Sequence, residues 1–165
     1  MLHTGVGVGD VLSISVPFGA LVLDDYSGRP MVFISAGIGI TPMAGMLSHL
    51  ATARCHLPII LLHADHNENE FALRGQIRDD IAALPNASIY VWYEQGAESQ
   101  LPVQGVFPGR MNLSQARLPD NAVYHLCGPV PFMHEIRNAL IERGIAPRDI
   151  QYEVFGPDLW QADYE

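Results

Sequence analysis

At 165 residues and 48% hydrophobic content, the chain has material for one sizeable core and one domain of ordinary size, not two. Its 18 acidic residues stand against 9 basic ones, all arginine, and the net charge of -9 argues against nucleic acid or an anionic membrane surface as a partner. The absence of lysine excludes a lysine Schiff base and a Walker lysine, and with neither a cationic leader nor an apolar run approaching the ~20 residues of a membrane span, a cytoplasmic protein is expected.

The chain opens with a glycine-rich approach, Gly5 to Asp10, followed by a short strand pattern carried by Val11, Leu12, Ile14 and Val16 and ended by Pro17. A second apolar burst, Ala20-Leu21-Val22-Leu23, stops at Asp24. Two short strands with glycine joints cannot bury themselves, so residues 1–27 are either the edge of a further structure or a strap on the main domain. Regular periodicity begins after Arg29. Met31 to Ile34 predicts a buried strand, residues 42–53 a helix, Pro58 to Leu62 a second strand, and residues 70–84 a second helix with Phe71, Ile77, Ile81 and Leu84 on one stripe. A third strand is predicted over 88–93. The stretch 94–121, rich in proline and glycine, reads as a long excursion with a helical turn near 113–116. A fourth strand over 122–126, a helix over 131–143 stopped by Gly144, and a last strand over 150–155 complete the chain. This alternation predicts an α/β fold, a doubly wound five-stranded parallel sheet of order 3-2-1-4-5 with ligands at the carboxyl ends of the strands.

Chemistry concentrates at three strand ends. In Ser35-Ala36-Gly37-Ile38-Gly39-Ile40-Thr41-Pro42 a strand turns through two glycines, and Thr41 is placed to cap a helix whose first position is Pro42. Such a turn aims backbone N–H groups and a helix dipole at an anion; the alternative is a turn whose glycines serve close packing alone. It matches neither GxGxxG, because Pro42 holds the third position, nor a Walker sequence. Cys127-Gly128-Pro129, ending the fourth strand, is predicted beside Gly37 and Gly39, with Cys127 either packing against an aromatic ring or filling the core. Glu153 and Phe155 share a side of the last strand, as a carboxylate and an aromatic wall beside a reacting centre or as a strand emerging into solvent. Cys55 and Cys127, without paired ligand spacing, suggest neither a disulfide framework nor a metal site. His63 and His66, with Asp65 and Glu68 near, lack a third fixed ligand, so no metal is assigned; a Ser35, His63 and acid triad lacks the GxSxG elbow. After the second strand, the loop from Asp65 to Glu70 is acidic and its first arginine is Arg74, which favours NADH over NADPH if a dinucleotide binds.

In their order along the chain, Val8-Gly9-Asp10-Val11, Ser13 to Gly19, Ser35 to Met43, His63-Ala64, Cys127-Gly128-Pro129-Val130-Pro131-Phe132-Met133 and Tyr152-Glu153-Val154-Phe155-Gly156-Pro157 resemble the ferredoxin-NADP+ reductase-like superfamily. Within it the chain is most similar to the C-terminal, NAD-binding part of bacterial flavohemoglobins, over essentially its whole length. The resemblance implies a domain that presents the nicotinamide of NADH to FAD. Ser35, Gly37, Gly39, Thr41, Pro42, His63, Cys127, Gly128, Pro129 and Phe132 are then expected around the dinucleotide, Phe155 and Gly156 at the flavin, and Glu153 and Cys127 beside hydride transfer. It further implies that electrons pass from FAD to haem in a globin, where nitric oxide is consumed with O2. The arginine-containing flavin motif of complete members is absent from these 165 residues, so residues 1–27 are expected to be the closing strands of an FAD-binding barrel and residues 28–165 the NAD(P)-binding domain. The chain would be a fragment, a truncated gene product or half of a split enzyme, needing an FAD-binding domain or subunit in trans and a haem-bearing globin domain or partner. Against this stand a standalone dinucleotide-binding or interaction module inactive alone and, from the residues only, a hydrolase using Ser35 and His63.

Overall fold

The computed structural model describes residues 5–14, 16, 19, 21–23, 28–96, 98–99 and 101–154. Continuous apolar runs become the strands β1 (Met31–Ala36), β2 (Ile59–Asp65), β3 (Ala87–Tyr93), β5 (Val123–Cys127) and β6 (Ile150–Glu153), and a short edge strand, β4 (Gly105–Pro108), joins them. All neighbours pair in parallel, in the order β4-β3-β2-β1-β5-β6. The expected sheet of five strands in order 3-2-1-4-5 is therefore wrong: among the described residues the sheet has six, and β4 lies inside the stretch read as an excursion. Its four residues begin with Gly105 and end with Pro108, so only Val106 and Phe107 carry a strand signal, too few to show a period of two. What fastens β4 is tertiary, because Phe107 stacks on Trp92 with ring centroids 5.2 Å apart. Trp92 Nε1 in turn donates to Gln115 Oε1 at 2.7 Å, in the 3-10 turn Leu113–Gln115.

Side chains alternating along the strands build a core on each face. Phe33, Leu61, Ile89 and Val91 pack beneath helices α1 (Ile40–Thr52) and α2 (Arg74–Ala83), while Val32, Ile34, Leu62 and Leu126 pack beneath α3 (Val130–Glu142). The two helices on the first face are joined by polar contacts: Ser48 Oγ donates to Asp80 at 2.6 Å and Gln76 Nε2 to Ser48 Oγ at 3.0 Å. Helix α1 starts earlier than expected, because a 3-10 turn over Gly37–Gly39 runs straight into it. Thr41 is thus its second residue and not its cap; the hydroxyl donates to the Ile38 carbonyl at 2.9 Å. Helix α2 starts later than expected, since Leu73, at φ 57°, interrupts helical geometry just before Arg74.

The strands expected within residues 11–16 and 20–23 do not form among the described residues there, as no neighbouring strand offers a ladder. Leu21 is nevertheless buried in the core of the first face and Leu23 packs against it, whereas Val8, Val11, Ile14 and Val16 are exposed. Among the described residues no helix is long and apolar enough to cross a membrane.

Candidate functional site at the carboxyl edge of the sheet

From β1 the chain proceeds to β2 on one side, while β5 pairs with β1 on the other, so the strand order reverses between β1 and β5. Crevices at such reversals are where open α/β sheets bind ligands. Here the turn after β1 meets the loop after β5. Gly39 is buried at φ -60°, and a Cβ there would overlap the Cys127 carbonyl oxygen and come within 2.7 Å of the Gly128 nitrogen. A Cβ on Gly128 would come within 2.9 Å of the Phe132 ring and 3.2 Å of the Ala36 nitrogen. These two glycines bring the backbones together. Gly37 differs: it has φ 52°, nothing stands where its Cβ would be, and it lines the adjoining cavity.

That cavity, about 340 Å³, lies across the ends of β1 to β4 and the start of α3. Gly37, Pro129 and Phe132, expected from the sequence, line it; Ser35, Gly39, His63 and Cys127 are buried beneath. Thr41 and Pro42 lie on the first turn of α1, outside the lining. The charged wall was only partly foreseen. Asp65 and His66 come from the acidic loop, but Glu94, Arg110 and Glu135 also line the cavity. Arg110 was invisible because β4 was not recognised; its place just beyond a strand end is the signal that finds it. His66 Nδ1 and Glu94 meet at 3.1 Å, bridging the loops after β2 and β3. Among the described residues no three His, Cys, Asp or Glu side chains form a metal-binding group.

Beneath the cavity, Ser35 and His63 are register partners on β1 and β2, both wholly buried. Ser35 Oγ lies 2.9 Å from His63 Nδ1, and His63 Nε2 lies 3.3 Å from Asp65 Oδ2. Asp65 Oδ1 also accepts the His66 amide at 2.8 Å. Burial pushes the His63 pKa down, against the opposing pull of Asp65. Partial burial raises that of Asp65, but the hydrogen bonds from His63 and the His66 amide, with the electrostatic pull of the two imidazoles, outweigh it and leave the carboxyl below its usual range. A hydrolytic use of Ser35 finds no support, because neither Ser35 nor His63 reaches solvent or a substrate.

Cys127 Sγ donates to the Glu153 carbonyl at 3.6 Å, and Cys127 pairs with Glu153 across β5 and β6. Burial, with the nearby Glu153 charge, pushes the thiol up to about 11, so it is protonated at neutral pH. Glu153 approaches the N-terminal segment closely: a Cβ on Gly19 would lie 2.7 Å from its Oε1. Phe155, Gly156 and Pro157 lie outside the described residues.

Residues 33–138 match the oxidoreductase NAD-binding domain family. The flavohemoprotein of Bordetella pertussis is 41% identical over 160 residues, 94% of this chain and 40% of that protein, so the chain spans about two fifths of the length of that curated relative. The Flavohem-like FAD/NAD-binding domain of nitric oxide dioxygenase from Vibrio cholerae is 34% identical, with a TM-score of 0.81 over 94% of this chain and 63% of that one. A ferredoxin NADP+ reductase from Neisseria gonorrhoeae, 18% identical with a TM-score of 0.59 over 76% of this chain and 55% of that one, shares the fold. The chain therefore belongs to the oxidoreductase NAD-binding domain family and is homologous to the NAD-binding domain of flavohemoglobins.

Proposed function

We propose that residues 28–165 bind NADH and present it to an FAD-binding domain or subunit, as part of a flavohemoglobin-like NADH oxidoreductase whose electrons pass to haem in a globin domain or partner for nitric oxide dioxygenation. NADH supplies a hydride in this reading and FAD accepts it. One observation carries the reading: a ligand-sized cavity opens at the reversal of strand order, beside a turn whose Gly37 leaves the backbone uncovered. At about 340 Å³ it is near the lower end of ligand pockets, roughly 300–1,000 Å³, which suits one half of a dinucleotide with the rest lying over the open glycine turn. Its lining carboxylates, Asp65, Glu94 and Glu135, outnumber Arg110 and favour NADH over the additional phosphate of NADPH.

The chain's own residues divide the work. Gly37, Pro129 and Phe132 shape the wall past which the dinucleotide would run from the cavity toward its nicotinamide half, and the Gly39 and Gly128 contacts hold that wall together. Ser35, Thr41, Pro42 and His63 support the turn from below or beside it. Glu153 and Cys127, paired at the ends of β5 and β6, are assigned to the margin where the flavin approaches, and Phe155 and Gly156, which follow in the sequence, are assigned to the flavin. A partner is favoured over a standalone module by Val8, Val11, Ile14 and Val16, a run of exposed apolar residues in the segment that leads to Gly19 and Glu153. Calorimetric titration with NADH and NADPH tests the proposal. NADH should bind more tightly; equal or tighter NADPH binding, or no binding of either, would overturn it.

A further inference from the structure

We infer that a second, smaller cavity at the amino edge of the sheet binds a short aliphatic monocarboxylate, with its carboxylate on the Arg148 guanidinium and its hydrocarbon tail against Leu23, Met31 and Val123. This site lies at the opposite end of the strands from the cavity described above and stands whatever that cavity binds.

Met31 and Val123, the first residues of β1 and β5, pair in register at the rim, and Leu23 of the N-terminal segment supplies a wall from outside the sheet. The volume, about 160 Å³, is the space of about five waters and lies below the roughly 300–1,000 Å³ of ordinary ligand pockets, so the occupant is small. Charge decides its sign. In a chain of net charge -9, two of the nine arginines line this one cavity, and no carboxylate does. Those two arginines are not equivalent. Arg29 donates from one guanidinium nitrogen to Asp149 at 2.8 Å and from the other to Asn121 at 3.4 Å, so its charge is met and its side chain is held across the starts of β5 and β6. Arg148, in the 3-10 turn Pro147–Asp149, is exposed, and among the described residues no carboxylate pairs with it. A guanidinium fork takes a carboxylate through two parallel hydrogen bonds. One uncompensated cation matches a monoanion, whereas a phosphate dianion would set a second charge against apolar walls. The same walls suit a short tail. Behind them His125, 2% exposed, forms a firm floor, its ring against Phe33 at a centroid distance of 5.1 Å and its register partner Gln151 beside it. Gln151 shares a side of β6 with Glu153, which Gly19 approaches, so an occupant held between Leu23 and the sheet ties down the N-terminal segment at the end away from Gly19.

The experiment is titration of the full chain with sodium butyrate, sodium acetate and inorganic phosphate, followed by calorimetry and by the NMR shifts of the Leu23 methyl groups and Arg148 Nε. Butyrate should bind saturably, with a Kd on the order of 1 mM, and shift both sets of signals. Acetate should bind about tenfold more weakly, because two methylene groups fewer meet the apolar walls. Arg148→Gln should weaken butyrate by about tenfold or more, and Arg148→Lys, which keeps the charge and loses the fork, by less. Leu23→Ala should narrow the difference between butyrate and acetate. Butyrate binding that does not saturate, or that Arg148→Gln leaves unchanged, overturns the site. Phosphate binding as tightly as butyrate, or acetate equal to butyrate, overturns the class of ligand assigned to it. Arg110 is the rival cation, in the other cavity: butyrate shifts centred on Arg110 and His66, or affinity lost in Arg110→Gln and kept in Arg148→Gln, overturn the location. The shift map of the unaltered chain decides that location even if no variant folds.

Discussion

Replacing Gly39 by alanine adds one methyl group where the peptide between Cys127 and Gly128 already lies. The backbone at Gly39 is no obstacle, since φ is -60° and any residue adopts it. The obstacle is contact: the new carbon would sit 2.6 Å from the Cys127 carbonyl carbon and 2.7 Å from the Gly128 nitrogen, both main-chain atoms of a β-strand end that cannot rotate aside. Overpacking of this kind costs about 1–3 kcal/mol, and a clash with backbone belongs at the upper end. At roughly 2–4 °C per kcal/mol for a chain of this size, the melting temperature should fall by about 6–12 °C. Gly37→Ala is the contrast. There the space is open but φ is 52°, so the cost is conformational, roughly 1–2 kcal/mol, and the added methyl projects from a residue that lines the cavity. Urea denaturation and NADH titration of both variants separate the roles. Gly39→Ala should lose stability first, and any loss of affinity should follow from the displaced loop; Gly37→Ala should lose NADH affinity with a smaller change in stability. A Gly39→Ala protein as stable as the original but unable to bind NADH would refute the packing argument and place the ligand against Gly39 directly.

Two further outcomes follow from the buried titrating groups. Because Cys127 is inaccessible and its pKa is pushed up to about 11, a thiol reagent at pH 8 should label only the partly exposed Cys55 in the native chain and both cysteines in urea; rapid native labelling of Cys127 would contradict its burial. His63 has a folded pKa below that of the unfolded chain, so the unfolded state binds the extra proton: the stability that depends on a neutral His63 is complete above pH 6.5 and is lost as the pH falls below it. Asp65, also lowered, acts in the same direction at more acid pH. Urea midpoints at pH 5 and 7.5 should therefore differ more for the original chain than for His63→Phe, and equal differences would remove His63 from the acid sensitivity.

What could be read in the sequence is what local pattern encodes. The apolar runs of β1, β2, β3 and β5 and the stripe of α3 are visible because burial on both sheet faces demands them. Strand β4 could not be read, because its reason for existing is the Trp92 and Phe107 stack, formed by residues 15 apart in the chain. Arg110 was lost with it, and the cavity charge with Arg110. The glycine turn was legible as a turn but not in its division of labour: Gly37 and Gly39 are two residues apart, yet one faces open space and the other a distant peptide, a difference set entirely by where Cys127 and Gly128 lie. Residue types alone offer Ser35 and His63 as a nucleophile and base, and the resemblance offers them as neighbours of a dinucleotide. Register places them side by side, and burial, which pattern does not measure, keeps both out of reach of a substrate in solvent.

The N-terminal segment supplies the sharpest expectation about a partner. Leu21 is buried in the core, but Val8, Val11, Ile14 and Val16 are exposed, so the segment is anchored at one end and uncovered at the other. Full burial of a valine or isoleucine stabilises by about 1.5–3 kcal/mol, and four together provide ~6–12 kcal/mol of gross drive toward a complementary apolar surface. The proposed occupant is the FAD-binding domain, which would then sit beside Gly19 and Glu153, at the margin where hydride transfer is assigned. The chain alone should accordingly retain little or no FAD and oxidise NADH negligibly, since holding the two reacting rings at transfer distance requires the partner's surface. Supplying an FAD-binding domain in trans should restore flavin reduction. Val11→Asp with Ile14→Asp should abolish that restoration without altering NADH binding, because these exposed residues lie outside the cavity lining. Glu153→Ala should instead leave the complex assembled and slow flavin reduction more than it weakens NADH binding, the signature of a group that acts on the transition state. Stoichiometric FAD and rapid turnover by the isolated chain would defeat this account, and the flavin site would then have to be built from residues of this chain or of a second copy.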